Sequence, residues 1–171
     1  MKIKSYIFLV FIVSLFLLSG CKKSDDVMEK KDNAIMEKNE STQNPDYFMA
    51  KGKVLAGTKT PFIDFNKEDY NKALSENKVI LLYFYANWCP ICKFEEPNTR
   101  AAFNELNNEN AVGFRVNYKD SDTDKDEEAL AEEFQVPYQH TKVIIKDGKQ
   151  VLKSPDTWGK ERYINEINKY A

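Results

Sequence analysis

Apolar and polar positions follow three different patterns along this chain. Residues 6–18 form an apolar run of 13 in which Ser14 is the only polar member after the opening tyrosine, and Lys2 and Lys4 precede it. The run is too short to span a hydrocarbon core comfortably and it ends in small residues, so residues 1–20 read as an export signal. Residues 22–44 are dense in lysine, aspartate and glutamate and nearly free of large apolar side chains. Such a stretch cannot bury enough surface to offset its ordering entropy, so residues 21–44 are expected to form a flexible tether. Residues 45–171 carry the pattern of one folded domain, without internal repeats.

Within that domain the periodicity switches between strand and helix. Residues 60–65 (TPFIDF) predict a strand, after which Asn66 offers an N-cap and Asp69, Tyr70, Ala73 and Leu74 follow at helical spacing. Residues 78–86 contain VILLYFY, a continuous apolar run that predicts a central strand buried on both faces. Residues 89–106 place Ile91, Phe94, Ala102, Phe103 and Leu106 roughly along one helical face, with Pro97 expected to kink the helix. Residues 111–117 (AVGFRVN) predict another strand, and residues 126–134 an acidic helix with Leu130 and Phe134 inward. Residues 141–146 (TKVIIK) turn through Asp147-Gly148 into residues 150–153, a hairpin. The last helix, residues 159–170, carries Tyr163, Ile164, Ile167 and Tyr170 on one stripe. The order βαβαβαββα predicts an α/β fold with a single mixed sheet and helices on both faces.

Composition narrows the function classes. Lysine and arginine number 25 against 27 acids, a net charge of -2 that gives no electrostatic case for nucleic acid. Three cysteines are too few for a disulfide-stapled scaffold, and 171 residues can bury a core without staples. Each cysteine therefore needs its own explanation.

Trp88-Cys89-Pro90-Ile91-Cys92-Lys93 falls where the buried central strand gives way to a helix. That spacing puts both sulfurs on one turn and aims the helix dipole and free backbone N–H groups at Cys89, conditions that stabilise a thiolate. Cys89 is the expected exposed nucleophile and Cys92, one turn deeper, the resolving thiol. A common structural zinc site needs four ligands, which one histidine and no second CxxC cannot supply, so no metal is expected. A purely structural disulfide would close too small a loop to add much stability. The acidic run from Asp120 to Asp126 resembles the start of a calcium loop, but Glu127 stands where the turn requires glycine; the acids suit a helix start instead.

The segments LLYFYANWCPICKFEEP and VPYQHTKVIIKDGK, with the element order, resemble the thioredoxin superfamily over residues 60–171. The resemblance implies a three-layer thioredoxin-like fold, redox action of Cys89 and Cys92 on protein thiols and disulfides, and no cofactor. Trp88, Pro90 and Ile91 would flank the substrate, and the protein would act as a monomer. Direction stays open between reductase, the leading expectation, and oxidase or isomerase, because it depends on the reduction potential. The other alternative is a non-catalytic binding module, against which the intact CxxC argues. Two departures stand out. Tyr83 occupies the place of the buried aspartate that helps move a proton at the second cysteine. Glu96, four residues after Cys92, is the candidate replacement, with Glu95 as the alternative. The family's cis-proline falls on His140, where a cis bond would cost about 3 kcal/mol, so a trans bond and a histidine close to the sulfurs are expected. Finally, Leu18-Ser19-Gly20-Cys21 resembles the lipobox of bacterial lipoproteins, which implies a lipidated Cys21, a membrane anchor and a domain facing the extracytoplasmic side. The thioredoxin resemblance also implies a membrane or soluble electron donor.

Overall fold

A computed structural model describes residues 48–171. The signal segment, Cys21, the tether and the expected domain start at Pro45 all lie outside the described residues. Six strands form one mixed sheet in the order β1-β2-β4-β3-β5-β6. They are β1 (Val54–Ala56), β2 (Phe62–Asp64), β3 (Val79–Tyr85), β4 (Ala111–Asn117), β5 (Lys142–Lys146) and β6 (Lys149–Ser154). β2, β4 and β3 run parallel, while β1, β5 and β6 join antiparallel at the two sides. The helices are α1 (Lys67–Ser75), α2 (Pro90–Glu105), α3 (Lys125–Glu133) and α4 (Lys160–Tyr170).

β3 is central and all seven of its residues are buried. The two-residue period divides them: Val79, Leu81, Tyr83 and Tyr85 pack with Ala102, Phe103, Tyr163 and Ile167 of α2 and α4. Ile80, Leu82 and Phe84 face Tyr70, Ala73, Leu130 and Ala131 of α1 and α3. Helices therefore cover both faces, as the alternating pattern predicted. Gly113 makes room for this packing, because a Cβ there would lie 2.3 Å from the Phe103 ring that stacks on Phe62.

Local signals set the element ends. Asn66 caps α1 by accepting from the Asp69 N–H, and Asp124 and Glu127 cap α3 reciprocally. The acidic run is thus a helix start, with Asp120 closing the turn before it through Thr123. α2 continues past Pro97, whose ring nitrogen has no hydrogen to donate back along the helix. β1 is the element the periodicity did not predict. It is short, half-exposed and tied to α2 by Arg100, which donates to the Leu55 carbonyl at 2.6 Å.

Candidate active site

The turn after β3 presents the two cysteines. Asn87 N–H donates to Asp120 Oδ2 at 2.8 Å and Trp88 Nε1 to the Lys119 carbonyl at 2.9 Å, so the loop after β4 latches this turn in place. Cys89 then serves as the N-cap of α2, its Sγ accepting the Cys92 N–H at 3.2 Å. Pro90 follows in the first turn, where a missing N–H costs nothing. The sulfur thus takes the place an oxygen holds in an ordinary cap, and it lies at the positive end of the helix dipole. Neither cysteine is in a disulfide.

Cys92 is fully buried, and burial pushes its thiol up to about 12, reinforced by the neighbouring Cys89. The expected exposed nucleophile needs a correction: Cys89 is only 5% exposed. Exposed apolar side chains stand in its own segment and in the one that carries His140, alongside exposed Asn87 and Lys93. Trp88, Ile91, Phe94 and Tyr138 are exposed, Phe94 at 72%, although large hydrophobic side chains elsewhere in the domain are mostly buried. A collar of this kind marks a surface that a partner covers.

His140 lies with the sulfurs, as expected: one ring nitrogen and both Sγ atoms are within 4.8 Å of one another. No peptide bond among the described residues is cis. The histidine is instead held at φ +54° by its N–H, which donates to the Phe84 carbonyl at 2.7 Å, while Phe84 N–H donates to the Thr141 carbonyl at 2.9 Å. Left-handed backbone in a residue with a Cβ costs about 1–2 kcal/mol, and its persistence here shows that the surrounding pairing over-determines it. Burial, and then the Lys142 ammonium, lower the imidazole's pKa. A His140 imidazolium beside the sulfurs therefore forms only at lower pH.

The two candidate carboxylates, Glu96 and its alternative Glu95, sit in different surroundings. Glu96 is held by two arginines, Arg100 Nη2 at 2.7 Å and Arg115 Nη1 at 2.8 Å, in a chain that continues to Asp64. Glu95 is fully buried with Lys142, and both side chains are 0% exposed. Glu95 Oε1 accepts from Lys142 Nζ at 2.6 Å, Trp158 N–H at 2.6 Å and Tyr163 Oη at 2.9 Å. Its Oε2 is buried without a hydrogen-bond partner. Lys142 Nζ also donates to the His140 carbonyl at 2.7 Å and to the Asp156 carbonyl. Burial lowers the lysine's pKa, opposed by Glu95 and by the Cys92 sulfur. Tyr83, in the aspartate's place, donates to the Cys92 carbonyl at 3.3 Å, and burial holds its phenol far above its usual range. It is a donor and not a proton acceptor.

Lys142 is a buried charge beside the site that the pattern of apolar positions did not single out. The signal was present in TKVIIK, where Lys142 alternates with Ile144 and so shares the inner face of a buried strand.

The thioredoxin family model matches residues 61–169. The chain belongs to the thioredoxin family. A thioredoxin of Mycobacterium tuberculosis is 33% identical over 95 residues, covering 56% of this chain and 76% of that protein. A putative protein disulfide-isomerase of Schizosaccharomyces pombe is 30% identical over 86 residues, covering 50% of this chain and 16% of that protein. Among solved structures, the thioredoxin of Aeropyrum pernix superposes with a TM-score of 0.52 at 16% identity, covering 72% of this chain and 97% of that one. Trxlp of Edwardsiella tarda gives 0.51 at 22% identity, with 61% and 95% covered. These two establish the thioredoxin fold. The thioredoxin and disulfide-isomerase relatives make the protein a thiol–disulfide oxidoreductase.

Proposed function

We propose that this protein is a lipid-anchored, extracytoplasmic reductase of protein disulfides working through Cys89 and Cys92. The observation that carries the reading is Cys89 Sγ at the N-cap of α2, accepting the Cys92 N–H at 3.2 Å over a second, fully buried thiol. That bond strengthens as the sulfur gains negative charge. The apolar collar of Trp88, Ile91, Phe94 and Tyr138 supports a polypeptide client.

In the reaction, Cys89 thiolate attacks one sulfur of the client disulfide, forming a mixed disulfide and releasing the first client thiolate. Cys92 then attacks Cys89 Sγ, and the second client thiolate leaves. Two electrons pass to the client, and the protein is left oxidised as a Cys89–Cys92 disulfide until a donor reduces it. Cys92 must lose a proton it holds tightly before it can attack. Glu95, three residues on and so adjacent on the helix surface, offers the unpartnered Oε2 as acceptor. The reducing direction is supported by the thioredoxin relatives. The anchor is supported by Leu18-Ser19-Gly20-Cys21 alone.

The test is trapping. Cys89→Ser abolishes exchange, and Cys92→Ser accumulates mixed disulfides with clients because the resolving thiol is gone. A binding module would yield no covalent adduct with either variant. Labelling with a fatty acid should mark the full chain but not Cys21→Ser; a label on neither would remove the anchor while leaving the exchange reading intact.

A further inference from the structure

The thioredoxin exchange cycle uses two sulfurs, yet the fold brings a third soft donor to them. A His140 ring nitrogen and the Sγ atoms of Cys89 and Cys92 all lie within 4.8 Å of one another. His140 Nδ1 is buried and has no hydrogen-bond partner, a condition that normally costs stability unless the nitrogen has another use. The ring is fixed from several directions. Its backbone is locked at φ +54° by the pairing with Phe84, its carbonyl is held by Lys142, and its ring centroid lies 5.2 Å from that of Tyr138. Three donors on rigid elements, a helix cap and a strand-paired loop, are pre-organised in the way a metal site requires.

We propose that the reduced Cys89–Cys92–His140 cluster binds one Cu(I) ion. The expectation that no metal binds counted ligands for a closed four-coordinate zinc site. Two thiolates and an imidazole instead satisfy a soft d10 cation that accepts three ligands. A first-row ion sits about 2.3 Å from thiolate sulfur and about 2.0 Å from imidazole nitrogen, so trigonal donors stand about 3.7–4.0 Å apart. The cluster's 4.8 Å bound lies within about 1 Å of that spacing. Cys92 is 0% and Cys89 5% exposed, which leaves little access for the water a divalent ion would add as a fourth ligand. Binding displaces the two thiol protons to solvent and leaves the oxidation state of sulfur and copper unchanged. Transfer of two electrons from the thiolates to a disulfide joins Cys89 to Cys92, removes two ligands and releases Cu(I). Metal and disulfide are thus alternative occupants of one site.

The proposal does not need a protein client, so the two readings fail separately. The experiment uses the full chain carrying Cys21→Ser, in detergent, reduced and oxygen-free, titrated with Cu(I) against a chromophoric Cu(I) chelator. The expected result is one Cu(I) per chain, none after oxidation to the disulfide, and an X-ray absorption spectrum with two sulfurs and one nitrogen around copper. His140→Gly, which keeps the backbone conformation, should bind about 10-fold or more weakly and lose the nitrogen shell. Retained affinity and an unchanged spectrum in His140→Gly would overturn the three-ligand site, as would one copper shared by two chains. Normal disulfide exchange with no copper bound would sink this inference alone.

Discussion

Replacing Lys142 by Met removes an ammonium and leaves the rest of a buried network in place. Lys142 is fully buried, and Glu95 Oε1, the His140 carbonyl and the Asp156 carbonyl take its three protons. Methionine fills the space of the stem but answers none of them. Glu95 keeps the Trp158 N–H and Tyr163 hydroxyl on Oε1, with nothing on Oε2, so a charge stays buried without its counter-ion. Removing one partner of a buried pair costs about 3–5 kcal/mol, a large share of the about 5–15 kcal/mol that holds a domain folded. Adding Glu95→Gln removes the stranded charge yet keeps an acceptor for Trp158 and Tyr163. The double variant should therefore recover about 1–3 kcal/mol over the sum of the single changes. Urea unfolding of the four proteins at pH 7.5 measures both effects. A Lys142→Met loss under about 1 kcal/mol, or losses that simply add, would refute the reasoning.

Three other outcomes follow from particular contacts. Gly113→Ala drives a methyl to 2.3 Å from the Phe103 ring, so denaturant unfolding should show a loss of about 1–3 kcal/mol. At His140, φ +54° inverts the usual order of small residues, and His140→Gly should be more stable than His140→Ala by about 1 kcal/mol; thermal unfolding of the pair checks it. Burial, with Asp124 and Asp120 nearby, pushes Glu127 up to about 7 from 4.5, against backbone donors Asn117 and Asp124. The folded state then holds the proton more tightly than the unfolded chain, so stability is fully present below pH 4.5 and declines towards pH 7, by at most about 1.4 kcal/mol per pH unit. Glu127→Gln should flatten that slope in urea midpoints measured across the range.

The sheet was legible because its centre is unambiguous. VILLYFY admits one reading, a strand covered on both sides, and Asn66 and Cys89 mark the helix starts that follow β2 and β3. β1 was invisible because three half-exposed residues carry neither period. What separates Glu95 from Glu96 was hidden for a different reason. Both lie one turn beyond Cys92, and helical spacing cannot separate neighbours that differ only in which long-range partner reaches them. Lys142 from β5 decides it for Glu95, and Arg115 from β4 for Glu96. His140 was legible as a position aligned against the sulfurs. Its left-handed backbone was not, since that depends on the pairing of β3 with the segment before β5.

Equilibrating the full chain carrying Cys21→Ser with glutathione buffers, and quantifying the Cys89–Cys92 disulfide at each ratio, tests the central claim most directly. One reversible two-electron couple is expected, with a potential near the thioredoxin value of about -270 mV. A potential near about -120 mV would reverse the assigned direction, and the absence of any reversible disulfide between Cys89 and Cys92 would contradict the redox assignment itself.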